Sequence, residues 1–132
     1  RTIGYKIADY RQLAPENPLS YAFETGTGNM AMSAGNLYTF YRLLTDHVML
    51  NENSLNMMWQ HPVTSRYAAG MYHYDEYNTG HGIQVGFEPT IILTKNGQDA
   101  VILMSNENAI GKSWQPLAKQ LFAQMTAIKI IK

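Results

Sequence analysis

The sequence predicts an α+β fold in which helices flank a small antiparallel β-sheet and a C-terminal helix packs on that sheet. Two apolar runs, Thr90–Leu93 and Ala100–Met104, flank the dipeptide Asn96-Gly97. Asn-Gly accepts positive φ at both central positions of a type I′ turn, so this stretch predicts a β-hairpin. Both runs are continuously apolar instead of alternating, which is typical of strands covered on both faces.

A second strand pair is predicted upstream, where Met71–Tyr74 and Gly82–Phe87 are connected through Asp75–Asn78. This Gly-rich, His-bearing region would let the backbone of a ligand approach closely. Near the N-terminus, the weak alternation of Thr2–Ile7 predicts a short strand. The prolines that follow it argue against further regular structure in that part of the chain.

Three helices are predicted from capping residues followed by apolar stripes at helical spacing. The first begins after Ser33, the second after Asn51 or Asn53, and the third after Ser113 with Pro116 in its first turn. Their stripes predict these core residues: Leu37, Phe40, Tyr41 and Leu44; Leu55, Met58 and Trp59; Trp114, Leu117, Leu121, Met125 and Ile128.

Composition excludes several classes of function. The 132 residues suit a single domain, and the ten basic residues balance the ten acidic ones. A net charge of zero without a basic patch argues against a nucleic-acid partner. The absence of cysteine excludes a disulfide framework, a zinc knuckle and a thiol nucleophile. The four histidines lack metal-ligand spacing, so neither a metal nor another cofactor is expected.

Two further features bear on the organisation of the chain. The Gly-rich loop Glu24–Met30 lacks the lysine and the preceding apolar strand of a phosphate-binding loop, so it predicts a turn into the first helix. The sequence contains no signal peptide, and no run approaches the roughly twenty apolar residues of a membrane span. Because the chain opens at Arg1 and not at methionine, we expect it to be part of a longer protein.

Four segments carry a resemblance to a known family. Gly28–Leu37 is similar to a family segment that contains Gly-Gly and leads into a helix. Val48–Met58 is similar to a Leu-Leu-Ser…Ser-Leu…Met segment. Gly80–Phe87 is similar to a Gly-His-x-Gly…Gly-Phe strand, and Val101–Asn106 to a closing Val-Val-Val-Leu-x-Asn strand. In this order they resemble the C-terminal part of serine β-lactamase and penicillin-binding-protein-like hydrolases. The branch most similar contains class C β-lactamases, D-alanyl-D-alanine peptidases and related esterases.

The resemblance implies that residues 1–132 form the C-terminal portion of an acyl-transfer enzyme acting on a D-Ala peptide, a β-lactam or an ester. In this family a Ser-x-x-Lys element supplies the nucleophile, and a Tyr-x-Asn or Ser-x-Asn element assists it. The sequence contains neither Ser-x-x-Lys nor Tyr-x-Asn. Ser54-Leu55-Asn56 matches Ser-x-Asn only formally, because it lies on an amphipathic helix. The chain alone is therefore expected to be inactive, with a missing N-terminal part of the same protein as its partner.

The element expected here is the strand that carries Lys-Thr-Gly or His-x-Gly, whose cation attracts a substrate carboxylate. In one register Gly80-His81-Gly82 is the motif, and the N–H of Ile83 would stabilise an oxyanion. In the other register His81 is the cation, and the donor is the N–H of Gln84. The first register is favoured because it keeps the spacing between the motif and Gly86-Phe87. His81 is expected to contribute to substrate binding, not to act as a base.

A different class of function is the alternative: a non-catalytic module, derived from the same fold, that binds peptidoglycan or a peptide. A third possibility is a proteolytic remnant that has no function of its own. Such a remnant would expose an apolar face where the missing part once packed, and a homodimer would bury that face. Export to a bacterial cell surface is implied by the family alone. His73, on an alternating strand, is expected to face solvent or the polar side of the sheet.

Overall fold

The computed structural model describes residues 2–9, 12–17, 28, 30–107 and 113–130. These residues form an α+β structure with a C-terminal helix, as the sequence predicts. Apart from Gly28 and Met30, the predicted loop Glu24–Met30 lies outside the described residues. The elements are β1 Tyr5–Asp9, β2 Gln12–Pro15, α1 Ala34–Thr45, α2 Glu52–Trp59, β3 Tyr67–Ala68, β4 Met71–His73, β5 Tyr77–His81, β6 Glu88–Thr94, β7 Ala100–Ser105 and α3 Gln115–Thr126.

Of the two apolar runs predicted to be covered on both faces, Ala100–Met104 in β7 is only partly buried, so the prediction is wrong there. Strand β6 is buried on both faces along its run Thr90–Leu93, as predicted. It lies between β5 and β7 in an antiparallel sheet of order β3-β4-β5-β6-β7. Alternate residues of β6 face opposite layers, because side chains alternate along a strand. One layer contains Tyr77, Ile92, Ala118 and Phe122 beneath α3, and the other contains Met71, Ile91 and Leu93 with Leu37 and Tyr41 of α1 packed against them.

The predicted hairpin between β6 and β7 is confirmed, but its predicted turn type is wrong. Leu93 pairs with Ala100, so the connection is longer than the two residues of a type I′ turn. Gly97 has a φ of 67°. The φ of Asn96 is not positive, although a type I′ turn requires a positive φ at that position. The side chain of Asn96 instead accepts hydrogen bonds from the Thr94 hydroxyl (2.7 Å) and the Gln98 N–H (3.1 Å), which stabilises the longer loop.

The predicted strand Gly82–Phe87 is wrong, because the strand that pairs with β4 and β6 is β5, Tyr77–His81. The connection from β4 is short, since the N–H of Tyr74 donates to the carbonyl of Tyr77 (2.9 Å). The sequence of β5 is polar and Gly-containing, and its burial comes from neighbours distant in sequence. Local pattern therefore does not reveal this strand.

The predicted N-terminal strand corresponds to β1, but the hairpin that it forms with β2 was not predicted. Strand β2 ends at Pro15, and an edge strand tolerates a proline because no ladder partner needs its missing N–H. The N–H of Tyr5 donates to the carbonyl of Asn106 (2.7 Å). This bond attaches β1 to the end of β7.

The helices begin largely where capping residues predict. Ser33 accepts the N–H of Asn36 (3.1 Å), and Asn51 accepts the N–H of Ser54 (2.9 Å). Helix α3 begins slightly later than predicted, with Ser113 accepting the N–H of Gln115 (3.1 Å). Within the described ranges, none of the helices combines the length and the apolar character needed to cross a membrane.

The predicted core stripe of α3 is wrong for three of its five members, while Ile128 packs against the core as predicted. Ala118 and Phe122 face the sheet and are fully buried, whereas three members of the stripe are exposed. Helix α3 carries apolar residues on two faces, so spacing alone cannot decide which face meets the sheet. The exposed members of the α3 stripe are Leu117, Leu121 and Met125. In α1, the predicted core residue Phe40 is also exposed.

We expect Phe122→Ala to lower the free energy of unfolding by about 4 kcal/mol, because it leaves a cavity between α3 and β6. The matched control, Met125→Ala, truncates a side chain of the same helix that is 52% exposed. It should cost less than about 1 kcal/mol. Urea denaturation followed by circular dichroism measures both values, and equal losses would contradict this orientation of α3.

Candidate functional site

The structure places the five predicted site residues at the end of β5 and in the segment after it. Gly80 pairs with Ile91, so it lies on the α1 face of the sheet, and His81 pairs with Thr90 on the α3 face. Gly82 and Ile83 follow the strand, and Gln84 opens a tight turn. The five residues are contiguous in space, but Gly80 and His81 point to opposite faces.

The backbone N–H groups in this segment differ in their hydrogen bonding. The N–H of Gly82 donates to the Pro89 carbonyl (3.2 Å), and that of Gln84 donates to the Phe87 carbonyl (2.9 Å). The N–H of Ile83 has no partner among the described residues. Of the two proposed oxyanion donors, Ile83 is therefore the one whose N–H is not already used by the turn.

A tight turn at Gln84–Phe87 ends the segment. Gln84 and Phe87 exchange two backbone hydrogen bonds of 2.9 and 2.8 Å, and the central residues Val85 and Gly86 have φ values of 48° and 79°. Positive φ at both central positions is the pattern of a type I′ turn. A β-branched residue rarely adopts this φ, so Val85 stores backbone strain beside the candidate site.

Close backbone crossings hold this turn in place. A Cβ on Gly86 would lie 2.5 Å from the backbone nitrogen of Tyr5, and a Cβ on Gly4 would overlap the carbonyl oxygen of Val85. A Cβ on Gly28 would overlap the side-chain amide of Gln84. The turn is thus packed between the start of β1 and a residue of the Gly-rich loop.

Glu88, the first residue of β6, organises the polar contacts of His81. Its side-chain oxygen Oε1 accepts hydrogen bonds from Ser113 Oγ (2.7 Å) and the backbone N–H of Trp114 (2.8 Å). It also contacts Nε2 of His81 at 2.9 Å. The carboxylate therefore joins the end of β5 to the start of α3.

The environment keeps this carboxylate charged although Glu88 is only 1% exposed. Burial by itself raises the pKa of Glu88, but the hydrogen bonds from Ser113, His81 and Trp114, together with the charge of His81, outweigh that effect and hold the pKa below 4.5. Among the described residues, the His81 ring is the basic group that contacts this carboxylate. A protonated His81 would therefore have its charge paired within the protein.

Ser113, His81 and Glu88 do not form a catalytic triad. In a triad one ring nitrogen of the histidine faces the serine and the other faces the carboxylate. Here Nε2 of His81 lies 2.9 Å from Glu88 and 3.4 Å from Ser113 Oγ, while the Ser113 hydroxyl donates to Glu88. The serine is held by the carboxylate and is not activated by the imidazole.

The expectation that His73 faces solvent or a polar surface is wrong, because the residue is 2% exposed. Its Nδ1 lies 2.9 Å from Asn78 Oδ1, and its Nε2 lies 2.9 Å from the Ala68 carbonyl. Lys95 Nζ donates to the same Asn78 oxygen (2.7 Å), and burial lowers the pKa of Lys95 against the opposing effect of Asp75. These contacts connect β3, β4, β5 and the β6–β7 loop, so His73 is a buried structural residue.

Across the described ranges, no three His, Cys, Asp or Glu side chains are grouped as a metal site. Sequence reasoning missed Glu88, whose role depends on the distant Ser113. The available signal was a single carboxylate just before the apolar run Thr90–Leu93, where an unpaired charge would be costly.

Comparison with known proteins supports a relationship between this chain and the penicillin-binding-protein and β-lactamase-like proteins, without distinguishing among their classes. One relative is a protein of Bacillus subtilis (strain 168) named "Putative penicillin-binding protein PbpX". It is 32% identical over 105 residues, which cover 79% of this chain and 26% of the relative. The chain thus spans about a quarter of the length of that protein. No family model matches the chain.

We expect Val85→Asn to raise the free energy of unfolding by about 1 kcal/mol, because asparagine tolerates positive φ better than a β-branched residue. Ile83→Asn is the control, since Ile83 is 57% exposed and has no positive φ. It should change stability by less than about 0.5 kcal/mol. Thermal and urea denaturation measure both, and a destabilised Val85→Asn would show that the turn is not strained.

Glu88→Gln should lower the free energy of unfolding by about 2 kcal/mol at about pH 7, because it replaces charge-assisted hydrogen bonds by neutral ones. The folded-state pKa of Glu88 lies below its ordinary value of 4.5. Its contribution is therefore complete above the unfolded-state pKa and is lost as the pH falls through the folded-state pKa.

The difference between wild type and Glu88→Gln should consequently shrink as the pH falls from the unfolded-state pKa of Glu88 through its lower folded-state pKa. Urea titrations across this range measure it. Glu76→Gln, at an exposed turn, provides the control and should stay close to wild type throughout. A difference that grows on acidification would contradict the stabilising role of the ionised Glu88.

Proposed function

We propose that this chain is the C-terminal portion of a β-lactamase-family serine hydrolase that catalyses acyl transfer on a D-Ala peptide, a β-lactam or an ester. The nucleophile would come from another part of the parent protein, so residues 1–132 alone would be inactive. In this proposal the end of β5 forms one wall of the substrate cleft. The relationship to a penicillin-binding protein over 79% of the chain supports it.

The single structural observation that carries the proposal is the N–H of Ile83. It follows β5 and has no partner among the described residues, while the N–H groups of both neighbours are bonded. An oxyanion hole needs a backbone donor that is held in place and not already used. This supports the register in which Gly80-His81-Gly82 is the motif and Ile83 supplies the donor.

The exposed apolar face of α3 supports a partner in the same protein. Leu117, Leu121 and Met125 lie one turn apart along the helix and are all exposed. We propose that the remainder of the parent protein covers this stripe, with a homodimer as the alternative occupant. The proposed location is the cell envelope, by analogy with the penicillin-binding relative.

The test uses the full gene product that contains this chain. Ile83→Pro removes the backbone N–H, whereas Ile83→Ala keeps it and truncates the same exposed side chain. We expect Ile83→Pro to slow acylation by a fluorescent penicillin and hydrolysis of a nitrophenyl ester by about 100-fold. Ile83→Ala should stay within about threefold of wild type because its N–H remains.

Equal rates for the two variants would contradict the assignment of Ile83 as the oxyanion donor. A wild-type gene product without any acylation would reject the hydrolase proposal. The binding module would then be preferred, and it is favoured by the internal pairing of His81 with Glu88. It predicts that the chain binds D-alanyl-D-alanine in calorimetry and loses this binding in His81→Ala.

A further inference from the structure

We propose that Glu88 is a positioning residue for His81: it binds Nε2, sets the orientation and tautomer of the imidazole, and leaves Nδ1 as the ring nitrogen that meets a ligand. This inference rests on the proposed function for its role in substrate binding. Its physical basis is independent of that function, because it depends only on the contacts of β5, β6 and α3.

The geometry restricts the ring of His81 strongly. Nε2 lies 2.9 Å from Glu88 Oε1, and the His81 side chain is 19% exposed. A carboxylate only accepts hydrogen bonds, so in the neutral imidazole the proton must be on Nε2. Nδ1 then carries the lone pair, and it has no hydrogen-bond partner among the described residues.

Glu88 is itself held in place, which makes it suitable for this role. The Ser113 hydroxyl and the Trp114 N–H fix its Oε1 at distances of 2.7 and 2.8 Å. Its charge also lies at the N-terminal end of α3, where the helix dipole favours an anion. A fixed carboxylate that orients an imidazole is an arrangement that enzymes use to define which nitrogen faces the substrate.

The pairing also changes what His81 can offer a ligand. When His81 is protonated, the adjacent Glu88 compensates its charge, so a substrate meets a neutral pair and not an isolated cation. Recognition through His81 would then depend on a directed hydrogen bond to Nδ1. This differs from the expectation that a cation at this strand attracts a substrate carboxylate by charge.

Nitrogen-15 NMR of the histidine side chains in the whole chain tests the positioning without any ligand. We expect neutral His81 to be the Nε2–H tautomer almost entirely, with an Nε2 proton that exchanges with water at least about tenfold more slowly than in Glu88→Gln. An amide can both accept and donate, so Glu88→Gln should give a mixture of tautomers. Ser113→Ala keeps the carboxylate and should retain the wild-type tautomer.

A wild-type His81 with its proton on Nδ1 would overturn the inference, even if Glu88→Gln failed to fold. In the full gene product, Glu88→Gln should lower kcat/KM for a nitrophenyl ester by about tenfold or more, because a mispositioned imidazole loses its contact. Glu76→Gln should leave kcat/KM unchanged. If NMR shows the expected tautomer but the gene product is not acylated, the hydrolase proposal is rejected. The positioning of His81 by Glu88 would still stand.

Discussion

The burial of β6 on both faces is the constraint on which the rest of the structure depends. Ile92 packs under α3, while Ile91 and Leu93 pack against the opposite layer. A strand covered on both sides must have all its backbone groups paired, because water cannot reach them. Its antiparallel pairing with β5 and β7 meets this requirement and sets the position of both neighbours.

The candidate site follows directly from this pairing. The register places His81 opposite Thr90, so the imidazole lies on the α3 face, two residues along β6 from Glu88. The strand can then end, since the turn Gln84–Phe87 returns the chain from β5 to β6. The proposed oxyanion donor lies between the end of the strand and this turn, both of which are held by hydrogen bonds.

Glu88 contributes to the fold and to the proposed site through the same contacts. A buried carboxylate is tolerated only if hydrogen bonds replace its lost hydration, and Ser113, Trp114 and His81 provide them. Those contacts attach the start of α3 to the sheet at the end where the site lies. The exposed apolar residues Leu117, Leu121 and Met125 lie on another face of α3.

The sequence by itself determined the α+β class, the three helices and the β6–β7 hairpin, because these depend on interactions between residues close in the chain. Caps such as Ser33 and Asn51 act within one helical turn, and the apolar run of β6 indicates burial on both faces without knowledge of its neighbours. The assignment of Gly80-His81-Gly82 as a family motif stays a prediction, and the strand that carries it ends at His81 instead of beginning at Gly82.

Only the tertiary structure decided which face of α3 meets the sheet, where β5 lies and what His81 contacts. Each depends on packing between distant residues: Phe122 against Ile92, Tyr77 opposite Thr94, and Glu88 with Ser113. Helical spacing is satisfied equally by an exposed and a buried apolar face. A polar strand such as β5 likewise gains its burial from the layers around it, a property that its own residues do not encode.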